Sequence, residues 1–436
     1  MKLGLVLACA LCGAPARAGG PQFSAALLRQ DLAYLDRSLH EMPADLAHSA
    51  DVAQLEHAIH DMDASLGASP PLDRDGAWRM FATLNPLLGD GHLFVGFFDW
   101  RGETRAHLAS GGVLFPFEMR VTPGCKLRVR AALGGGVSEF TDAVILRVDG
   151  IPAPSVCEQL LARAHGDTRA FRADLVSRRF WFYYWKVFGA PAAFEIEFTA
   201  RPDARKIPGA SQLPQLLADE ADFDRQFQLR LVPEASAAVL RLGTFAWPDK
   251  RQLFDFTRAS FAKIQAARAN KLIIDLRDNG GGDDQSWIEG VMPYIADKPF
   301  RTGSQIRKRV VVADPARHEV VGSVVDGVID DWFPAQPRNP LRFRGRLYVV
   351  VGAGTYSSAV VMSNVIQDFG FGLVAGHGGS VRTQQSGGAR RTTLPNSGLI
   401  LVTPRFVVSR PSGAAEPTLL TPDIELDESV TLGELP

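Results

Sequence analysis

The stretch KLIIDLRDN, residues 271–279, is apolar at Leu272, Ile273 and Ile274 without alternation. A strand with one face in water alternates, whereas a strand buried on both faces does not, and strands of that kind belong to parallel sheets covered by helices. GRLYVVVGAG (345–354) is a second such run. Segments with helical periodicity lie beside both: KRQLFDFTRASFAKIQAARAN (250–270) before the first, and SAVVMSNVIQDFG (358–370) after the second. AAVLRLGTF, FGLVAGHGG and GLILVTPRFVVS add further strands. This alternation predicts a layered α/β region over 230–436.

The chain upstream reads differently. From 22 to 110 the pattern is mainly helical, with Leu27, Leu28, Leu32, Leu35 and Leu39 on one face of the first helix. DRDGAWRMFATLNPLLGDGH reads as a third helix that ends in glycines. His40, His48, His57 and His60 fall in this region without a third metal ligand nearby, and they read as surface residues. Residues 111–202 look β-rich, with VLFPFEMRV, KLRVRAAL and AVILRVDGIPA as strands. The segment 203–229, rich in Pro and polar residues, reads as a linker.

The first twenty residues, MKLGLVLACALCGAPARAGG, have the form of a secretory leader, with Lys2, an apolar run from Leu3 to Cys12, and Ala16-Arg17-Ala18 as a small-x-small site. Residues 1–18 are therefore expected to be removed, leaving a periplasmic or secreted protein without a stable membrane span. Cys125 and Cys157 then remain. They read equally as one disulfide or as two buried thiols. The charge is balanced, 47 basic against 48 acidic residues, and no block of like charge points to nucleic acid.

Two glycine-rich turns carry the chemistry. In YVVVGAGTYSSAVV a buried strand ends at glycines, and a helix starts at Ser357 and Ser358. Open α/β sheets place ligand sites at such strand ends, where helix N–H groups favour an anion. The same serines serve equally as a plain helix cap. In LIIDLRDNGGGDD, the glycines 280–282 let backbone approach a ligand closely and form one wall of an anion site, or only a surface turn. No dinucleotide or phosphate-loop spacing is present. Asp283 and Asp284 have no complementary histidine cluster, so no metal and no cofactor are expected.

The two motifs in order, KLIIDLRDNGGG and then TYSSAVVMSNVIQDFGFGLVAG, resemble the C-terminal-processing (tail-specific) and tricorn-like serine peptidases. The resemblance covers chiefly 230–436. It implies a crotonase-like, layered βαβ catalytic core, and ILRVDGIPA followed by an amphipathic helix resembles the core of PDZ-like domains. It also implies a peptide or protein substrate, Ser357 as nucleophile, and an oxyanion hole built from the Ser358 N–H and a glycine of the Gly281–Gly282 loop. One branch of the family uses a lysine base in the loop after the next strand. Here Arg382 stands at that position, and a guanidinium stays protonated. The tricorn-like branch takes a histidine from the N-terminal part, and GDGH places His92 in that role. Its pattern also implies a glutamate, here Glu416, to orient the ring, with Asp90 and Asp423 as competitors. Asp368 matches a position that supports the site, and His377 is a rival base. A ligand-binding relative without catalysis, or a PDZ-like interaction module, remains the alternative reading.

Overall fold

The computed structural model describes residues 20–67, 69–199, 201–426, 432 and 435. The leader read over 1–18 lies outside them. The fold is mixed α/β. Its centre is a six-stranded sheet whose strands run in chain order: β1 Phe227–Val232, β2 Ala237–Leu242, β3 Lys271–Asp275, β4 Arg346–Val351, β5 Leu373–Gly376 and β6 Ile424–Glu425. All neighbours pair parallel except β1 with β2. Helix α1, Lys250–Ala266, connects β2 to β3, and α2, Ser358–Asp368, connects β4 to β5.

The unbroken apolar runs have the expected cause. Leu272 and Ile274 face one core with Val349, Val351 and the buried side of α2, while Ile273 faces another with Tyr348 and Val350. Successive side chains point to opposite faces, so a strand covered on both sides must be apolar throughout.

The N-terminal helices and the β-rich region share a separate core, from Leu28 and Leu35 through Trp181 to Phe198. Leu394, Leu399 and Leu401 from the far end of the chain join it. Their hairpin, Arg390–Thr393 and Ile400–Thr403, pairs with Phe94–Gly96 in a three-stranded sheet. The buried carboxylate of Asp31 on the first helix, Ala25–Glu41, fixes the hairpin turn by accepting the N–H groups of Asn396 and Ser397, each at 2.8 Å. These contacts hold the segment around His92 against the C-terminal half.

Several local expectations change. The third helix is broken into Arg74–Phe81, a 3-10 turn at Ala82–Leu84 and Asn85–Leu88, which stops at Gly89 with φ of 51°. The stretch read as a linker, 203–229, begins inside a strand, Arg201–Pro208, paired with Ala193–Phe198. It is an edge strand, where proline's missing N–H removes no ladder bond. His48 is half-buried on a turn rather than exposed on a helix, and burial lowers its pKa.

Cys125 and Cys157 form a disulfide across 32 residues, clamping the strand Leu127–Ala132 to the helix Ala153–Leu161. Closing a loop of that length in the unfolded chain is worth about 3–4 kcal/mol. The double replacement Cys125→Ala with Cys157→Ala is expected to lower the unfolding free energy by about that amount, read as the urea midpoint at unchanged slope. An unchanged midpoint would show that the bond does not staple this region.

Candidate active site

The site forms where β4 ends. The chain leaves Val351, turns through Gly352–Tyr356 and enters α2 at Ser358. Thr355 pins the turn, its hydroxyl donating to Leu276 O at 2.7 Å and accepting the Gly352 N–H at 2.9 Å. Ser357 sits at the junction with φ of 53° and ψ of −125°. A side chain with a Cβ rarely adopts such a backbone, at a cost of about 1–3 kcal/mol, so the surroundings must impose it. The cap reading fails here, because the Ser357 side chain makes no cap hydrogen bond. Its hydroxyl has no partner among the described residues, and the residue is half-exposed.

Ser358 is different. It is buried, its hydroxyl donates to Asp284 and accepts the Trp287 indole N–H at 3.0 Å. Burial pushes the Asp284 carboxyl up, while the Ser358 bond opposes the shift. Asp283 pairs with Lys250, so the two aspartates serve separate structural contacts. Among the described residues, no group of three or more His, Cys, Asp or Glu is placed to hold a metal ion.

The glycine loop closes over the serine. Gly281 has φ of 96°, and a Cβ there would lie 2.7 Å from the Ser357 Cβ and 2.9 Å from the Ser358 N. Only glycine permits that approach. Its own N–H, however, donates to Asn279 Oδ1 at 2.8 Å, so Gly281 supplies room rather than a donor. The N–H groups of Gly282 and Ser358 have no acceptor among the described residues. Asn279 is fully buried and holds the loop in place: its amide donates to Leu242 O at 2.9 Å, and its carbonyl accepts the Tyr356 N–H at 2.9 Å.

Two ties bring His92 to this turn. Its ring lies 5.0 Å, centroid to centroid, from that of Tyr356. Its Nδ1 is 3.0 Å from the hydroxyl of Ser386. The neighbouring Gln385 accepts the Ser357 N–H at 3.0 Å through its side-chain carbonyl. Ser386 in turn donates to Asp90 Oδ1 at 2.9 Å. With its one proton on Asp90, Ser386 must accept from Nδ1–H, which leaves the His92 Nε2 as the lone-pair nitrogen. Burial lowers the His92 pKa, and Asp90 opposes this.

Asp90 is buried and also receives the His92 N–H at 2.6 Å and the Ser49 hydroxyl at 2.7 Å. Its charge beside His92, with these hydrogen bonds, holds its carboxyl below the usual range despite burial. The Tyr356 hydroxyl lies 3.2 Å from Asp90 and 2.8 Å from Asp167, and it accepts the Gly91 N–H at 2.8 Å. Burial and the charge of Asp90 push the Asp167 carboxyl up to about 6.

The remaining candidates lie elsewhere. Glu416, implied as the orienting carboxylate, is exposed and accepts the Thr418 N–H at 3.0 Å, so the acceptor line from His92 runs to Asp90 instead. The chain three residues further on is bridged to the backbone at Arg382 through Leu419. Asp423 caps β5 through the Val374 N–H at 2.8 Å. His377 is exposed beyond the end of β5. Asp368 forms a buried ion pair with Arg410 and receives the Ser412 N–H, a supporting role. Arg382 acts as a strut: its guanidinium donates to Gly89 O and its N–H to Asp167 at 2.8 Å. Ser386, Gln385, Asn279, Tyr356 and Asp167 were missed in the sequence because their roles depend on contacts across long chain separations. Only the Asn279 position, inside the glycine motif, gave any signal.

Asp167 gives a pH test. A carboxyl whose folded pKa exceeds its unfolded value of 3.8 favours the fold fully below that value, and the contribution is lost as pH rises through about 6. Relative to Asp167→Asn, the wild type should lose on the order of 2 kcal/mol of stability between about pH 4 and pH 7. Parallel pH–stability curves from chemical denaturation would refute the assignment.

Residues 236–426 match the model of peptidase family S41. No curated protein matches the chain by sequence. Among solved structures, a CPAF mutant superposes with a TM-score of 0.64 at 13% identity, covering 92% of this chain and 93% of that one. Mature CPAF complexed with lactacystin gives a TM-score of 0.61 at 15% identity, covering 92% and 94%. The photosystem II D1 C-terminal processing protease gives 0.47 at 16% identity, covering 94% and 95%. At these identities the CPAF likeness shows a common fold.

Proposed function

With residues 236–426 matching the model of peptidase family S41, we propose that this chain is a serine-type peptidase in which Ser357 attacks the scissile carbonyl of a peptide or protein substrate. The observation that carries the reading is the strained backbone of Ser357 between a buried strand and a helix, with a hydroxyl that makes no cap hydrogen bond and has no partner among the described residues. Exposed nucleophilic serines are presented on strained strand-to-helix turns of this kind.

His92 takes the serine proton on Nε2. The ring is oriented by Ser386, which passes its own hydrogen bond to Asp90. A base held by a second group that is itself held is the general form of an activated serine. As the serine oxygen bonds to the carbonyl carbon, the carbonyl oxygen becomes an anion facing the N–H groups of Ser358 and Gly282. Each such donor is worth about 3–4 kcal/mol to the transition state. The dipole end of α2 adds to the same field. His92 then gives its proton to the leaving amine nitrogen as the C–N bond breaks. A water, deprotonated by the same nitrogen, releases the acyl group and restores the serine.

The remaining parts of the reading follow. The central sheet serves as a crotonase-like core, and residues 111–202 serve as a PDZ-like domain that presents the substrate chain. The Asp149-Gly150 turn, both residues at positive φ, and the helix Ala153–Leu161 support that assignment. The edge strand Arg201–Pro208 offers one unpaired side to an extended peptide. The disulfide supports an oxidising compartment, the periplasm or the outside of the cell.

A fluorophosphonate probe should label the wild type and Ser358→Ala but not Ser357→Ala. Labelling that survives Ser357→Ala would refute the nucleophile assignment. For the base, kcat/KM should rise through an apparent pKa below 6.5 and stay level to about pH 8, because His92 acts in its neutral form and its pKa is lowered. An ascending limb centred above pH 7 would point to another base. Ser386→Ala should lower kcat by about 10²-fold with little change in KM, since it orients the ring rather than binding substrate. Equal losses in Glu416→Gln would return the orienting role to that residue.

A further inference from the structure

A cavity of about 280 Å³ opens beside the site. One wall starts at Phe94, two residues after His92, whose ring stacks on that of His165 at 3.8 Å and 10°. Phe97, Trp100 and Phe182 continue the aromatic lining, with Phe182 5.6 Å from Phe97 and 5.7 Å from Trp100 between centroids. Arg101, Arg163, Arg179 and Arg391 also line it, against a single carboxylate, Asp99. That carboxylate caps the helix Trp100–Ala109 through the Gly102 N–H at 2.8 Å.

The arginines are not equivalent. Arg101 makes a bidentate pair with Glu220 at 2.6 and 2.7 Å. Arg163 donates to the carbonyls of Arg79 and Gln159. Arg391 is exposed at the rim. Arg179 lies over the Trp100 ring, 4.4 Å from its centroid, and has neither a hydrogen-bond acceptor nor an ion-pair partner among the described residues. Its Nε is sealed from solvent without a partner, and so is the Nδ1 of His165. Burial lowers the Arg179 pKa to about 10, which still leaves a cation at neutral pH. Burial, with the Arg179 charge, lowers His165 to about 3, so its ring is neutral.

Arg179 is half-buried, and its sealed Nε without an acceptor is a costly group that calls for an explanation. A guanidinium placed over an aromatic ring keeps its N–H fork able to grip a carboxylate at its edge. The volume suits one compact ring or a short apolar chain. We propose that this cavity binds a carboxylate carried on an aromatic or small apolar body, with the charge on Arg179 and the body against Phe94, Phe97 and Phe182. The site does not rest on the peptidase reading. The carboxylate comes either from a peptide, as a chain terminus or acidic side chain, or from a free small acid.

Titration of the whole protein at pH 7 with 3-phenylpropionate and with its neutral amide, followed by calorimetry, tests this. The acid should bind at least ~10-fold more tightly than the amide, and Arg179→Met should remove that preference. Arg391→Gln, at the exposed rim, should weaken the acid by about 3-fold with the circular dichroism spectrum unchanged. It keeps the test valid if Arg179→Met does not fold. Equal binding of acid and amide to folded wild type, or no binding of either up to about 10 mM, would overturn the proposal. The source is read on Ser357→Ala, which needs no turnover. Displacement of 3-phenylpropionate by a peptide ending in free phenylalanine, but not by its C-terminal amide, assigns the site to a peptide chain. Retention of the acid in the presence of both peptides assigns it to a free carboxylate. Binding without fluorophosphonate labelling would retain this site while removing the peptidase reading.

Discussion

The rest of the site depends on the buried carboxylate of Asp90. An ionised carboxylate out of water is tolerated only when its oxygens are fully engaged. Here the donors come from distant parts of the chain: Ser49 near the N-terminus, the backbone of His92, and Ser386 after β5. Charge-assisted bonds of this kind contribute about 1.5–3 kcal/mol each. They also fix geometry. Meeting Asp90 commits the one proton of Ser386 to the carboxylate, and that determines which nitrogen of His92 carries hydrogen. Burial and then the same carboxylate raise the Asp167 pKa to about 6. One electrostatic requirement thus joins the N-terminal region to the C-terminal half and sets the protonation of the proposed base.

The strained serine has a separate support. Ser357 keeps its unusual backbone because its N–H is held by Gln385, the preceding carbonyl region is crowded by Gly281, and Asn279 ties that glycine loop to both β2 and Tyr356. None of these contacts is strong alone. Together they hold the turn in a shape that an isolated peptide would leave. The division between the adjacent serines follows from the same turn. Ser358 starts the helix and points into the packed side, where Trp287 and Asp284 take its hydroxyl, whereas Ser357 stays outside the helix.

Much of the fold was legible in the residues. Leu272–Ile274 and Val349–Val351 announced a covered parallel sheet, because period-two geometry leaves no other explanation for unbroken apolar strands. Gly281 was legible as a point of close approach. What it approached was not, and its N–H proved to be engaged internally. The strand Arg201–Pro208, at the start of the stretch read as a linker over 203–229, was not legible, because proline and glycine mark turns and edge strands alike, and only pairing partners distinguish them. The spacing of Glu416 from Ser357 likewise fixes neither the direction of its loop nor its exposure, and the structure leaves it exposed.

The sequence by itself determined the local elements, the two glycine turns and the residue types able to move a proton, since these follow from periodicity, backbone freedom and side-chain chemistry. Only the tertiary structure decided that Ser386 stands between His92 and Asp90, that Ser357 is strained while Ser358 is locked away, and that Arg179 faces a cavity without an ion-pair partner among the described residues. Those facts depend on contacts between residues up to about three hundred positions apart. Such contacts are selected by the total packing of the chain and by the need to satisfy buried charge, and neither is encoded in any short stretch.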